Sequence, residues 1–538
     1  MRPDCGILYQ IFLHRTVFGC RRERKGTMTS ATICILIAIV VYLALMLCIG
    51  ARFAKKNNSA DDFYLGGRKL GPLVTAMSAE ASDMSSYLLM GLPGLAYLTG
   101  ICDVGWTVIG LAVGTYLNWL IVAKRIRRYS ALTDSITAPE FFSKRFGDDK
   151  NLLRAFAALV IIVFFVPYTA SGFAACGKLF SNLFGMDYML AMIISAVVIV
   201  GYTALGGFLA ASTTDLIQSC VMTIALVVVL CFGVSVAGGL DVVLQNAQAL
   251  PGYFAMDASY DAVSGAAVPY GPLTVVSTLA WGLGYFGMPH ILLRFMAVEN
   301  EQKLTTSRRV ATVWVVISMF IAVLIGMVGL GMTNVGALPV LEGSASETVI
   351  VQISSLMAEH GVLLALAAGI TLAGILAATM STADSQLLAA SSSVSKDLMW
   401  SVFKVKMTEK QSMLIARTTL LIIAVIAIFL ARDPNSSVFK IVSFAWAGFG
   451  AAFGPVVLFA LFWKRANKWG ALCGMISGGV LVFVWKFLVR PLGGAFDLYE
   501  LLPAFLLNCF VLMVVSLLTA PPEKKVVDTF EQYQAMGR

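Results

Sequence analysis

Apolar runs of about 20 residues recur from Ala31 almost to the end of the chain, and they restrict its fold more than any other feature. Lipid offers the backbone no water, so only helices and closed barrels satisfy their own peptide groups there. These runs are long and continuous rather than ten-residue alternations, which selects helices. About thirteen spans are expected, at 31–53, 72–97, 103–123, 152–176, 187–207, 214–237, 272–297, 309–332, 361–386, 413–431, 438–463, 469–489 and 499–519. Composition agrees, with 59% hydrophobic and 13% charged residues, where a soluble globular chain carries about 25% charged. An all-α polytopic membrane protein follows, with the lipid bilayer as its surroundings. A soluble enzyme, a nucleic-acid binder and a secreted disulfide scaffold are excluded for the chain as a whole.

Ten cysteines stand singly with no CxxC, and only His14, His290 and His360 are present. No metal-ligand spacing or redox pair emerges, so no cofactor is expected. No nucleophile–base pair is visible in the spans, which argues against an enzyme. Nothing in the sequence marks an obligate protein partner.

Lysine and arginine set the orientation. The loop 124–150 holds Lys124, Arg125, Arg127, Arg128, Lys144, Arg145 and Lys150. Alternation puts Arg52, Lys55, Lys56, Arg68 and Lys69 on the same side, with Lys303, Arg308, Arg309, Lys396, Lys404, Lys406, Lys410, Lys464, Arg465 and Lys468. The opposite loops 238–271 and 333–360 carry acids but no base. The basic side is therefore cytoplasmic, the amino end outside and the carboxyl end inside, in a plasma (inner) membrane. Lys178, Arg432, Lys440, Lys486 and Arg490 dilute this bias. Residues 1–27 are strongly basic yet fall outside, so translation is expected to start at Met28, with 28–520 the transmembrane domain and 521–538 a cytoplasmic tail.

Two spans are interrupted. The second carries Ala81-Ser82-Asp83-Met84-Ser85-Ser86 and then Gly91-Leu92-Pro93-Gly94; the seventh carries Trp281 to Pro289 with three glycines. They lie five spans apart and so run in opposite directions. Paired interruptions of this kind point to an inverted-repeat transporter with its site near the midplane. Asp83 sits in the first break without a Lys or Arg nearby, so a transported cation or a network of hydroxyls must partner it. Ser381, Thr382, Asp384 and Ser385 form a second polar run in the ninth span. Oxygen groups on two helices, without nitrogen or sulfur ligands, suit a hard cation. Asp215 either opens the sixth span as a dipole-favoured carboxylate or lies on an ion exit. Trp281 and Tyr285, four apart, share a face if the helix persists there.

The segments Ala81–Gly94, Trp281–His290 and Ala378–Gln386 resemble the solute:sodium symporter family, as do Tyr64–Arg68, Gly201–Ala210 and Ser443–Gly450. The resemblance runs from about Met28 to Leu518. It implies a LeuT-like five-plus-five inverted repeat, about 72–237 and 272–463, with one helix before and two after. The implied activity is sodium-coupled uptake of L-proline by alternating access, with sodium and a small zwitterionic solute as partners. The implied sodium ligands are the carbonyls of Ala81, Met84 and Ala378 and the side chains of Ser381 and Thr382. Asp83 would organise that site, Asp215 would serve ion passage, and Asp384 with Ser385 would lie at a second ion position. Substrate contacts would come from Ser85, Tyr168, Trp281 and Tyr285. Ser86-Tyr87 stands where proline carriers usually read Gly-Trp, and Met288 where they usually read Gln, which leaves open another small organic solute such as pantothenate, a sugar or an osmolyte. A transporter-like sensor is the remaining reading, against which stands the lack of a signalling domain.

Overall fold

The computed structural model describes residues 29–54, 60–261 and 264–537. The basic extension 1–27, the start expected at Met28, and Lys55 and Lys56 lie outside the described residues. Helix α1 (Ser30–Ala54) precedes a broken pair, α2 (Pro72–Ser86) and α3 (Leu92–Thr99), joined by a wide π turn. Then come α4 (Ile101–Leu117), α5 (Lys124–Leu132), α6 (Ala138–Phe146), α7 (Leu152–Phe184) and α8 (Tyr188–Val236), which bends at Gly207 with φ 64°. The second half opens on another broken span: α9 (Pro272–Leu279), a 3₁₀ stretch Ala280–Gly287 and α10 (Pro289–Ala297). It continues as α11 (Leu304–Asn334), α12 (Val349–Ala358), α13 (Val362–Ser392), α14 (Glu409–Leu430) and α15 (Val438–Phe462). Two further helices, α16 (Lys468–Val484) and α17 (Leu501–Leu518), precede a tail helix, α18 (Lys524–Ala535).

Among the described residues ten helices are long and apolar enough to cross a membrane. The two broken pairs and the shorter apolar arm Tyr188–Ala204 of α8 occupy the other three expected spans. Proline stands in the first turn of α2, α9 and α10, where its missing N–H is no loss. At the centre α8 packs along α13, and α2 fits against both. On the other side α15 packs on the 3₁₀ stretch and on α7. Thus the two broken spans are clasped by continuous helices.

Helix α4 meets the 3₁₀ stretch backbone to backbone. A β-carbon at Gly114 would collide with the carbonyl of Gly282, and one at Gly282 with the carbonyl of Gly110. This small-xxx-small pairing lets chains approach where lipid supplies no hydrophobic drive between helices.

Several bases counted as loop charges are cross-links. Arg68 donates to the carbonyls of Met296 (2.8 Å), Ser130 (3.0 Å) and Ser135 (2.7 Å). Buried Arg145 donates to Ala460 O at 2.6 Å. Three bases that break the charge bias are paired with acids: Lys178 with Glu347 (2.8 Å), Lys486 with Glu500 (3.0 Å) and Arg490 with Asp497 (2.8 Å). Two features go beyond the sequence expectation. An antiparallel hairpin pairs β1 (Ala258–Asp261) with β2 (Ala266–Pro269). The tail folds as α18, which buries Val526, Phe530 and Tyr533 against α5 and α6.

Gly114→Val is expected to destabilise the fold by about 1–3 kcal/mol, the cost of over-packing a close contact. Gly201→Ala, where a β-carbon meets nothing within 4 Å, should be neutral or stabilising. Thermal unfolding of the two detergent-purified variants checks both.

Candidate functional site

Helix α2 breaks at Ser85, whose φ is 49°. With ψ at −168° this is a positive-φ, extended conformation that only glycine adopts readily, at a cost of about 1–3 kcal/mol, so surrounding contacts must hold it. The Tyr87 N–H turns back to the Met84 and Ser85 carbonyls and to Ser85 Oγ at 3.1 Å. Across from the break, α13 presents hydroxyls. Ser381 Oγ donates to Ala81 O at 2.8 Å and reaches Ala378 O at 3.2 Å; Thr382 Oγ1 donates to Ala378 O at 3.1 Å. Ala81, Ala378, Ser381 and Thr382 therefore converge, and Met84 lies at the same broken end. All five offered ligands are neutral oxygens. Among the described residues no group of three or more His, Cys, Asp or Glu is placed to hold a metal. A cluster of uncharged oxygens suits a monovalent alkali cation better than a multivalent one.

Asp83 is buried beside this cluster. Its Oδ2 accepts from Tyr285 Oη at 2.7 Å and its carbonyl from Tyr168 Oη at 3.2 Å, while Oδ1 has no protein partner. One hydroxyl, that of Tyr285, thus partners one of the two carboxylate oxygens. Next to them, Asp83, Met84, Tyr87, Tyr168, Trp281 and Trp446 line a cavity of about 10 Å³, room for one water at most. Trp281 stacks on Tyr499 (5.1 Å, 17°) and on Tyr87 (5.8 Å, 23°).

The expected common face of Trp281 and Tyr285 is not found. Residues 280–287 wind as a 3₁₀ helix, in which positions three apart eclipse and positions four apart diverge. Trp281 enters the aromatic stack, Tyr285 turns to Asp83, and Trp446 stands between them, edge-on to Tyr285 at 5.1 Å. Of the expected substrate contacts, Tyr168 and Trp281 line the cavity; Ser85 and Tyr285 stand behind it.

Asp215 does not open a helix. It lies two turns beyond the Gly207 bend, past the reach of the N-terminal dipole. Its Oδ2 meets Arg294 Nη2 at 3.0 Å and accepts from Ser78 Oγ at 2.6 Å. Arg294 also donates to Ser385 Oγ. Asp384 accepts from Tyr202 Oη at 2.9 Å and from Ser385 Oγ at 3.0 Å. Asp215, Asp384 and Ser385 are therefore gathered with a guanidinium, one turn along α13 from the neutral cluster, where Ser385 Oγ donates to Ser381 O at 2.8 Å.

Sequence reasoning missed four charged groups. Arg294 lies within the apolar run HILLRFMA, and an intramembrane arginine was itself the signal. Glu80 is buried one turn before Asp83 and accepts from Trp119 Nε1 at 2.8 Å. Lys178 and Glu347 form a buried pair, and Glu347 also accepts from Ser437 Oγ (2.7 Å) and the Val438 and Phe439 N–H groups (both 3.1 Å), capping α15.

Arg294→Gln should destabilise the fold by about 3–5 kcal/mol, because it strands a buried carboxylate. The double variant Arg294→Met/Asp215→Leu should lose less than the single one. Denaturant or thermal unfolding of both checks the order.

The profile of the sodium:solute symporter family matches residues 63–478. A sodium/proline symporter of Haemophilus influenzae is 41% identical over 507 residues, covering 92% of this chain and 97% of its own. The high-affinity proline transporter PutP of Bacillus subtilis is 41% identical over 491 residues, covering 91% and 99%. The osmoregulated proline transporter OpuE of the same organism is 40% identical, covering 91% and 96%. Among solved structures, a Na⁺-coupled sialic acid symporter in a substrate-bound outward-open state superposes with a TM-score of 0.74 over 91% of this chain and 99% of its own, at 19% identity, a likeness of fold. With its broken spans, its oxygen cluster and this coverage, the chain belongs to the sodium:solute symporter family.

Proposed function

We propose that the protein takes up L-proline with sodium by alternating access across the plasma membrane, with the amino end outside and the carboxyl end cytoplasmic. The observation that carries this reading is the pairing of α2 with α13 through Ser381 and Ala81, in a chain about 40% identical to proline carriers over nine-tenths of its length. Sodium would take the carbonyls of Ala81, Met84 and Ala378 and the hydroxyls of Ser381 and Thr382. Their hydrogens now point at carbonyls; on binding, lone pairs turn to the ion instead. Sodium is then the coupling ion, and no other cofactor enters. The repeats at about 72–237 and 272–463 would supply the two halves that rock around it.

The solute would sit against Tyr168 and Trp281, with Ser85 and Tyr285 behind them. An apolar ring fits an aromatic wall, and helix ends and backbone N–H groups can hold a carboxylate without an arginine. At about 10 Å³ the cavity must widen to admit a pyrrolidine ring, so Tyr87 and Trp281 have to part. One charge moving through 100 mV supplies about 2.3 kcal/mol, and a tenfold sodium gradient about 1.4 kcal/mol more. Together they support accumulation of several hundred-fold for one ion per solute. Asp83 and Asp215 would support the ion's site and its passage, and Asp384 with Ser385 a second position beside them.

A second reading, sodium symport of another small organic solute, is favoured by Tyr87. This residue stacks directly on Trp281, where proline carriers usually place tryptophan. Labelled proline uptake into proteoliposomes, competed by a panel of amino acids, pantothenate and sugars, separates the two. Proline should compete best, and replacing sodium by choline should lower uptake at least tenfold.

Ser381→Ala and Thr382→Ala should each raise the half-saturating sodium concentration roughly tenfold, equivalent to about 1.4 kcal/mol of lost ligation. Trp281→Ala should raise the proline KM while sodium dependence persists. Full sodium-stimulated uptake in Asp83→Asn would exclude Asp83 from the site. Uptake titrated in both sodium and proline reads all four.

A further inference from the structure

A cavity of about 390 Å³ opens at the basic end of the bundle, with a lining separate from that of the candidate site, between α5, the end of α15 and the tail helix α18. Lys124, Arg125 and Arg128 line it from α5, Leu120 and Phe462 form its apolar edge, and Tyr533 closes it from the tail. Among the described residues no carboxylate lines it. Arg128 is neutralised by Glu301, with contacts of 2.9 and 3.1 Å. Arg125 is held in place without an acid: it donates to Ile121 O at 2.8 Å, and its guanidinium lies 4.6 Å from the centre of the Phe462 ring. Lys124 has no acidic partner among the described residues. Glu531, the acid on α18 nearest in sequence to Tyr533, is engaged by Lys464 at 2.8 Å. The described lining therefore carries two positive charges without an acidic partner, one of them fixed in direction.

The apolar edge continues along α4. Ile109, Val113, Tyr116, Leu117 and Leu120 are all exposed, and their spacing of three and four places them on one helical face. From Ile109 to Leu120 this stripe covers about 16 Å, close to the thickness of one leaflet's hydrocarbon, about 15 Å. It ends one turn before Lys124. A fixed cationic cavity at the head of a leaflet-long apolar stripe matches an amphiphile with a negative head and an extended tail.

We propose that this cavity binds the phosphodiester headgroup of an anionic phospholipid, whose acyl chain lies along the exposed face of α4. A free phosphate shares the headgroup chemistry but gains nothing from the stripe. The bound lipid would bridge α5, α15 and α18, and so join the first repeat, the second repeat and the tail. Lys124 and Arg125 are the recognition residues, and Arg128 positions the α5 end through Glu301.

Native mass spectrometry of the detergent-purified full chain tests this, with phosphatidylglycerol and phosphatidylcholine as probes. Phosphatidylglycerol should be retained preferentially, and Lys124→Gln/Arg125→Gln should lower its retention about 25-fold, about fivefold per charge, without changing phosphatidylcholine. Lys124→Gln alone, which breaks no ion pair, should lower it about fivefold and carries the test if the double variant does not fold. Equal retention of the two lipids, or unchanged phosphatidylglycerol retention in Lys124→Gln, would overturn the proposal. Displacement of phosphatidylglycerol by millimolar inorganic phosphate would overturn the lipid assignment in favour of a free anion.

Discussion

A peptide carbonyl released inside hydrocarbon costs several kcal/mol unless something replaces its lost hydrogen bond. Helix α2 releases such groups at Ser85, and α13 reaches across to it through Ser381, whose hydroxyl donates to Ala81 O, while Thr382 bonds Ala378 O on its own helix. The break survives because the two helices face each other. Take the hydroxyls away and α2 has no reason to stay open at this depth. The same oxygens that satisfy one another in the protein alone are those able to exchange their partners for a cation. Structural satisfaction and ion binding are thus alternative uses of one set of groups.

A second set of contacts fixes the surroundings of the break. Arg294 on α10 reaches Ser78 on α2, Asp215 on α8 and Ser385 on α13. Four helices meet on one guanidinium, including a half of each broken span. A buried ion pair adds little net stability over a well-packed apolar contact, yet breaking it is costly. Its value here is register: only one arrangement of the four helices satisfies it. At the other end of α2–α3, Gly94 packs against the backbone of Ser346 and Glu347. Glu347 in turn binds Lys178 and caps α15. Both ends of the first broken span are anchored to elements of the second half.

Much of this was legible in the sequence, and the limits have physical causes. Span positions follow from length and hydropathy alone, because lipid imposes one requirement on every helix. The two breaks were visible because Gly, Pro and Ser at matched places leave few other readings. Ala81, Ala378, Ser381 and Thr382, named through the resemblance, lie within hydrogen-bond reach of one another. What failed was local geometry. The Trp281–Tyr285 spacing assumed 3.6 residues per turn, while the glycines at 282, 284 and 287 admit a tighter 3₁₀ path against α4 and α15. Asp215 stood at the start of the expected span 214–237, yet the chain bends earlier, at Gly207, and is already helical there. Pairings such as Arg294 with Asp215 span 79 residues, and no periodicity reports a contact of that separation. The tail helix escaped notice because twelve residues with three buried side chains carry too weak a pattern to stand out.

The neutral oxygen cluster and the small aromatic cavity, proposed above for ion and solute, are separated by almost no protein. Ala81 and Met84 offer carbonyls to the first, Asp83 and Met84 line the second, and Ser85 joins them. An ion that fixes the carbonyls of this turn also fixes the backbone of Ser85. Ser85 in turn sets the direction of Tyr87, whose ring lies on Trp281. A ligand shifts an equilibrium only by its differential affinity for the two states. Here that difference arises within one turn of helix, so long-range relay is unnecessary. By reciprocity, whatever the ion does for the solute's affinity the solute does for the ion's. With ion and solute in the proposed sites, the coupling condition for moving them as a pair would be met within this one turn.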